Sequence, residues 1–278
     1  MVETSGEQLS QLARKLFDQA AFRWYLAVCL QGLVASLGAA VALTSIDPQV
    51  ASLIAVLILV LTGGAYLVRL SGESAHDLAE TMRRQAALSE GLGWSVERGQ
   101  MTEWRRKAGR KLRQRALAEP REQGYYTASP DRGPRKLAEM TLESEFWTRQ
   151  LFISLRTILG SALVIAAVAT TLVLLVVLSQ PTLSSIGQVL ARLVFSLLLI
   201  VIDLDLIGWL LRIHRQICAF EEIERCLDRM LESKTIESEA AVLRLVSEYD
   251  CTLANAIPIP GILFRHKHDE IDELWNER

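Results

Sequence analysis

Cysteine is scarce in this chain: there are four in 278 residues, at Cys29, Cys218, Cys226 and Cys251, and none forms a Cys-x-x-Cys pair. A disulfide framework and a thiolate zinc site are therefore not expected. Histidine is equally scarce, with four copies. His268 and Asp272 share a helix face at a spacing able to bind metal, but a solvated role on a charged helix is the plainer reading. No Ser/His/Asp or Cys/His arrangement stands out, and no Walker-type or GxGxxG loop is present. Neither sign of charge dominates, since the net charge is -2. The sequence thus offers no catalytic residue, no metal site and no cofactor site. It reads as a non-enzyme, with no signal for binding a nucleic acid duplex.

Apolar sequence, by contrast, is abundant. Half of the residues are hydrophobic while 22% are charged, and the mean hydropathy is +0.23. Apolar and charged residues must then be segregated into blocks. Four blocks are long and apolar enough to cross a bilayer, which requires roughly 20 residues. They run from Trp24 to Ile46, about Val50 to Val68, about Leu151 to Leu178, and about Ile186 to Ile213. The connections within each pair are "DPQ" and "SQPTLSS", short enough for helical hairpins. The polar leader before the first block is long and carries Glu3, Glu7 and Asp18, which favours an uncleaved span over a signal peptide.

Lys and Arg set the orientation. The hairpin connections contain none, whereas 71–150 holds about fifteen. Both termini and the middle region are expected in the cytoplasm. Trp24, Tyr25 and Trp209 fall where interfacial aromatics belong. The expected fold is an all-α membrane protein with four transmembrane helices as two hairpins. Its parts are an N-terminal amphipathic helix (1–23), hairpin 1 (24–70), a cytoplasmic helical region (71–150), hairpin 2 (151–213) and a cytoplasmic helical tail (214–278). Gly32, Ser36 and Ala40, and the "TGG" of "LTGGAY", read as small-residue packing spots. In the tail, Ile213, Ile217, Phe220, Ile223, Leu227 and Met230 recur at three- and four-residue steps, a packing stripe.

Two groups of residues invite a functional reading. The first is the run "WRRKAGRKLRQR" within a helix expected over about Val96 to Ala118. Met101, Trp104, Ala108 and Leu112 share one face, and Arg105, Arg106, Lys107, Arg110, Lys111, Arg113 and Arg115 lie on the others. Such a helix suits anionic lipid headgroups. Equally, it suits an anionic ligand held by arginine forks. Tyr125 and Tyr126 would be available to stack on a base.

The second group lies in "IVIDLDLIGW". On one continuous helix Asp203 and Asp205 would point about 160° apart. Counting in from Arg212, Asp205 would lie about 10 Å deep and Asp203 about 13 Å. Arg156 lies at a matching depth, about 10 Å beyond Arg149. An Arg156–Asp205 ion pair is one reading. The other places Asp203, with Ser196 and Arg192 on its side, along a water path between helices.

The layout resembles the SMODS-associated four-transmembrane effector family of bacterial antiphage systems. The similarity lies in "RRQAALSEGLGWSV" after the second span, in "YYTAS…PRKLAEMTLESEFWTRQL" before the third, and in the Pro-broken tail "EYDCTLANAIPIPGILFRHKHDEIDELW". The resemblance implies a bacterial inner-membrane protein, homo-oligomeric, triggered by a nucleotide second messenger to form a pore or disrupt the bilayer. Two alternatives stand beside it. One is a membrane scaffold or sensor recruiting partners through its helical tail. The other is a small ion or proton carrier using Asp203.

Overall fold

The structure is a computed structural model and describes residues 3–43, 47–118, 128, 131–178, 205–233, 238–254 and 256–278. Among these residues there are eight helices and no strand. They are α1 (Glu3–Leu43), α2 (Pro48–Gly91), α3 (Arg98–Ala108), α4 (Arg110–Ala118), α5 (Pro134–Leu178), α6 (Leu206–Glu232), α7 (Glu239–Ala254) and α8 (Gly261–Asn276). Few prolines interrupt the chain. Pro48 and Pro134 each sit at the first position of a helix, where the missing N–H costs nothing.

Three helical stretches are long and apolar enough to cross a membrane: Gln8–Gly38, Pro48–Gly91 and Pro134–Leu172. They contain most of the first three expected spans. The fourth, 186–213, lies outside the described residues as far as 204.

The chain divides into two compact units. One comprises Met1–Ala21, Gly72–Ser154 and Ile213–Arg278, and the other Phe22–Ser71 and Leu155–Arg212. The first unit has a true core. Leu9, Leu12, Ala13 and Leu16 of α1 pack with Ala79, Met82 and Ala86 of α2, Met101 and Trp104 of α3, and Ala116 of α4. The stripe predicted in the tail is the inner face of α6, with Ile213, Ile217, Phe220, Ile223 and Leu227 all buried. Phe220 meets Phe152 of α5 at 5.9 Å and Tyr249 of α7 at 5.8 Å between ring centres. Gly91 closes α2 against α5. Its carbonyl accepts the Gly133 N–H at 2.8 Å, and a Cβ there would come within 3.1 Å of the Leu137 Cα.

The second unit keeps most of its apolar side chains outside. Leu53, Leu59, Val60, Leu67, Val164 and Ile165 are each at least 63% exposed. So much bare aliphatic surface suits an apolar solvent rather than water. Polar groups in this unit meet near its ends. Arg23 donates to the Ser71 carbonyl at 2.9 Å, and Trp24 lies against Trp209 with ring centres 4.9 Å apart. The small-residue spots differ from expectation. A Cβ on Gly32, Gly63 or Gly64 would meet nothing within 4 Å; Ala27 and Ala65, each 2% exposed, are the buried small residues instead.

Candidate anion-binding site

The basic run does not form the single helix expected over 96–118. Gly109 divides it, at φ 79° and ψ 162°. That conformation is essentially reserved for glycine. The Gly109 N–H closes α3 by bonding the Arg106 carbonyl at 3.2 Å, and its own carbonyl accepts the Arg113 N–H at 3.3 Å. Gly109 therefore caps both helices while bringing no side chain to the first amides of α4. A Cβ on Gly109 would meet nothing within 4 Å, so the space above this backbone is open.

Around the break lies an open concavity of about 470 Å³, lined by Thr102, Arg105, Arg106, Gly109, Arg110 and Arg113. All four arginines are exposed. Their apolar neighbours face the other way: Met101 and Trp104 are each 9% exposed, in the core with α1 and α2, and Ala108 and Leu112 pack on that core. The reading as a helix on anionic headgroups rests on its basic residues, and insertion of its apolar face would be a separate matter. That face is already occupied by protein. What remains outside is a set of guanidinium groups, suited to phosphate or carboxylate oxygens.

The individual residues separate by role. Arg105 is oriented from α1, since its Nη2 donates to Gln8 Oε1 at 2.7 Å. Lys107 pairs with Glu103 at 2.8 Å. The hydrogen bond and the charge of Lys107 hold the Glu103 carboxyl below its ordinary range. Lys107 thus has its own counter-ion and does not line the concavity, and neither does Lys111. The Thr102 hydroxyl donates to the Arg98 carbonyl at 2.9 Å. Arg105, Arg106 and Arg110 were legible from the sequence. Gly109 was the signal overlooked, a lone glycine inside a helix-forming run, and Arg113 joins them once the turn it imposes is known. Tyr125 and Tyr126 lie outside the described residues.

The intramembrane group is only partly described. Arg192, Ser196 and Asp203 lie outside the described residues. Asp205 is described, and it corrects the expectation of a continuous helix through "DLD". It has φ 48° and stands just before α6, which starts at Leu206. Its Oδ1 accepts the Gly208 N–H at 3.2 Å, and its carbonyl accepts the Trp209 N–H at 2.9 Å. Asp205 is an N-cap, a position aspartate favours because its carboxylate satisfies an otherwise open amide. Gly208 makes this possible, since a Cβ there would collide with the Asp205 carboxylate. Among the described residues, the carboxylate contact is to Gly208 rather than to Arg156. The angle of about 160° assumed a helix through Asp205 and no longer applies, whereas the rise from Asp205 to Arg212 does run along α6.

Among the described residues, no group of three His, Cys, Asp or Glu side chains is placed to hold a metal ion. His268 packs against the Trp147 and Phe264 rings, at 5.1 and 5.6 Å.

The described residues define a helical protein with three helices long and apolar enough to cross a membrane and an arginine-lined concavity around the α3–α4 break. Compared with protein-family models, with curated proteins and with solved structures, the chain matches none.

Proposed function

We propose that this chain is a signal-gated membrane effector whose helical unit binds a phosphate-bearing anion in the Thr102–Arg113 concavity. The observation that supports this is the division of labour on α3 and α4. The apolar face is buried in protein, while four arginines surround an open space of about 470 Å³. That volume is in the range of small-molecule sites. A nucleotide second messenger has the charge and size to fill it. Four spans in two hairpins, an inner-membrane location with both termini in the cytoplasm, and a homo-oligomer complete the proposal. They rest on the charge pattern and on the resemblance to the antiphage effectors. Opening of the bilayer would follow from ligand-induced movement of α5, which continues from Pro134 into the third span without a break.

The test is a leak assay. Full-length protein in dye-loaded liposomes is exposed to cyclic di- and trinucleotides, with inorganic pyrophosphate as a comparison anion. Release with one cyclic nucleotide, lost in Arg106→Ala/Arg110→Ala, supports the proposal. Release that ignores the double substitution removes the site. Tight binding without release points to a sensor instead. Binding confined to anionic vesicles assigns the arginines to lipid.

A further inference from the structure

Glu145 is completely buried. Neither of its carboxyl oxygens has a hydrogen-bond partner among the described residues. The charged groups around it come from three elements. Arg149, one turn further along α5, places Nε 3.4 Å from Glu145 Oε1. On α6, Glu224 bonds Arg149 at 2.9 Å. Arg278, just past α8, bonds Glu224 at 2.6 Å and also Asp228. Aromatic rings wall the cluster. Phe146 lies 5.9 Å from the Arg149 guanidinium and 5.7 Å from that of Arg278, and Trp275 lies 5.3 Å from Phe146.

The charges do not balance. Among the described residues, with all groups ionised, Glu145, Glu224 and Asp228 face Arg149 and Arg278, one negative charge in excess. Glu145 is the carboxylate wholly shut off from solvent, whereas Asp228 is 41% exposed. Two carboxylates already use both guanidiniums. The third is tolerated most easily as the neutral acid.

We propose that Glu145 is a proton-operated catch. Protonated, it leaves Arg149 to Glu224 and Arg278 to Glu224 and Asp228, so that α5, α6 and the end of α8 are joined. Loss of the proton places a third carboxylate in the seam and draws Arg149 away from Glu224. The seam then opens more often. This inference does not depend on the anion site.

The direction with pH follows from linkage. Burial first, and the Glu224 charge second, push the Glu145 carboxyl up to about 8, against a lowering by Arg149 and Arg278 and a further small rise from Asp228. The ordinary value is 4.5. Between those values the closed seam holds a proton that the open seam has lost. The closed state therefore weakens as pH rises through the window and stays level above it.

Hydrogen exchange on the full-length protein in nanodiscs, from pH 5 to 9 and corrected for intrinsic exchange, tests this. Opening of α8 is expected to rise towards tenfold per pH unit and to level off above about pH 8. Glu145→Gln is expected to hold the low-pH protection throughout. A flat wild-type profile, or an unchanged slope in Glu145→Gln, overturns the proposal. If that variant does not fold, carboxyl NMR of wild-type protein carrying ¹³C-glutamate decides. A Glu signal titrating near 8 supports the catch, and no such signal above pH 7 overturns it.

Discussion

Asp250 on α7 is 4% exposed and receives Arg83 Nη2 at 2.6 Å and Arg84 Nε at 2.7 Å. Both arginines come from α2, so one buried carboxylate fastens α7 to α2. Truncating it leaves Arg83 without that partner in a half-buried setting. Asp250→Ala is expected to lose about 2–3 kcal/mol, the scale of hydrogen bonds to charged groups, measured by denaturant unfolding in detergent. Asp205 behaves differently, because its partner is an amide of its own helix. Asp205→Ala should cost about 1 kcal/mol. Gly208→Ala should mimic it by displacing the carboxylate. Additive losses in Asp205→Ala, Arg156→Ala and the double variant are expected, and non-additivity would restore the ion pair. Here the sequence misled for a definite reason. "DLD" sits in an apolar run, which suggested a helix interior, yet aspartate is a weak helix former and a strong cap.

At the scale of elements, α3 and α4 carry the main prediction. Trp104→Ala should cost about 3–5 kcal/mol if its ring is core, as truncations of buried aromatics do. A membrane-inserted ring would leave unfolding almost unchanged. Gly109→Ala should cost about 1–3 kcal/mol from backbone strain and should weaken anion binding, read by titration with pyrophosphate. Periodicity made the helices legible here. The amphipathic N-terminal segment and the tail stripe both lie on real helices, α1 and α6. What periodicity leaves open is the partner of a stripe. Leu9, Leu12 and Leu16 would look the same facing lipid or facing Met82 and Trp104, and only the fold decides. α2 continues past its apolar part as far as Gly91. Gly72 lies in this stretch and is carried within the helix, so the change in polarity marks a change of surroundings, not an end.

At the scale of the molecule, the prediction concerns sidedness. In a cysteine-free background, Asp47→Cys should react with an impermeant maleimide in intact cells, and Arg106→Cys only after permeabilisation. Labelling of both from one side would remove the first hairpin. The three apolar helices were legible because roughly 20 residues of uncharged sequence admit few other readings. The arginine concavity was only half legible, because a surface is made by a turn, and the turn rests on one glycine.

The two units have a consequence for biosynthesis. The helical unit draws on Met1–Ala21, Gly72–Ser154 and Ile213–Arg278, so its last third emerges from the ribosome after every apolar segment. Its junctions with the other unit fall inside α1, α2, α5 and α6, not in loops. Cutting there would leave helix ends with open amides and carbonyls. During translation the stripe of α1 finds its partners early, in α2, α3 and α4, whereas Arg83 and Arg84 must wait for Asp250, made much later. Insertion of the apolar segments precedes completion of the arginine-bearing unit, and a chain stalled before Asp250 would be membrane-held yet unable to fasten Arg83 and Arg84.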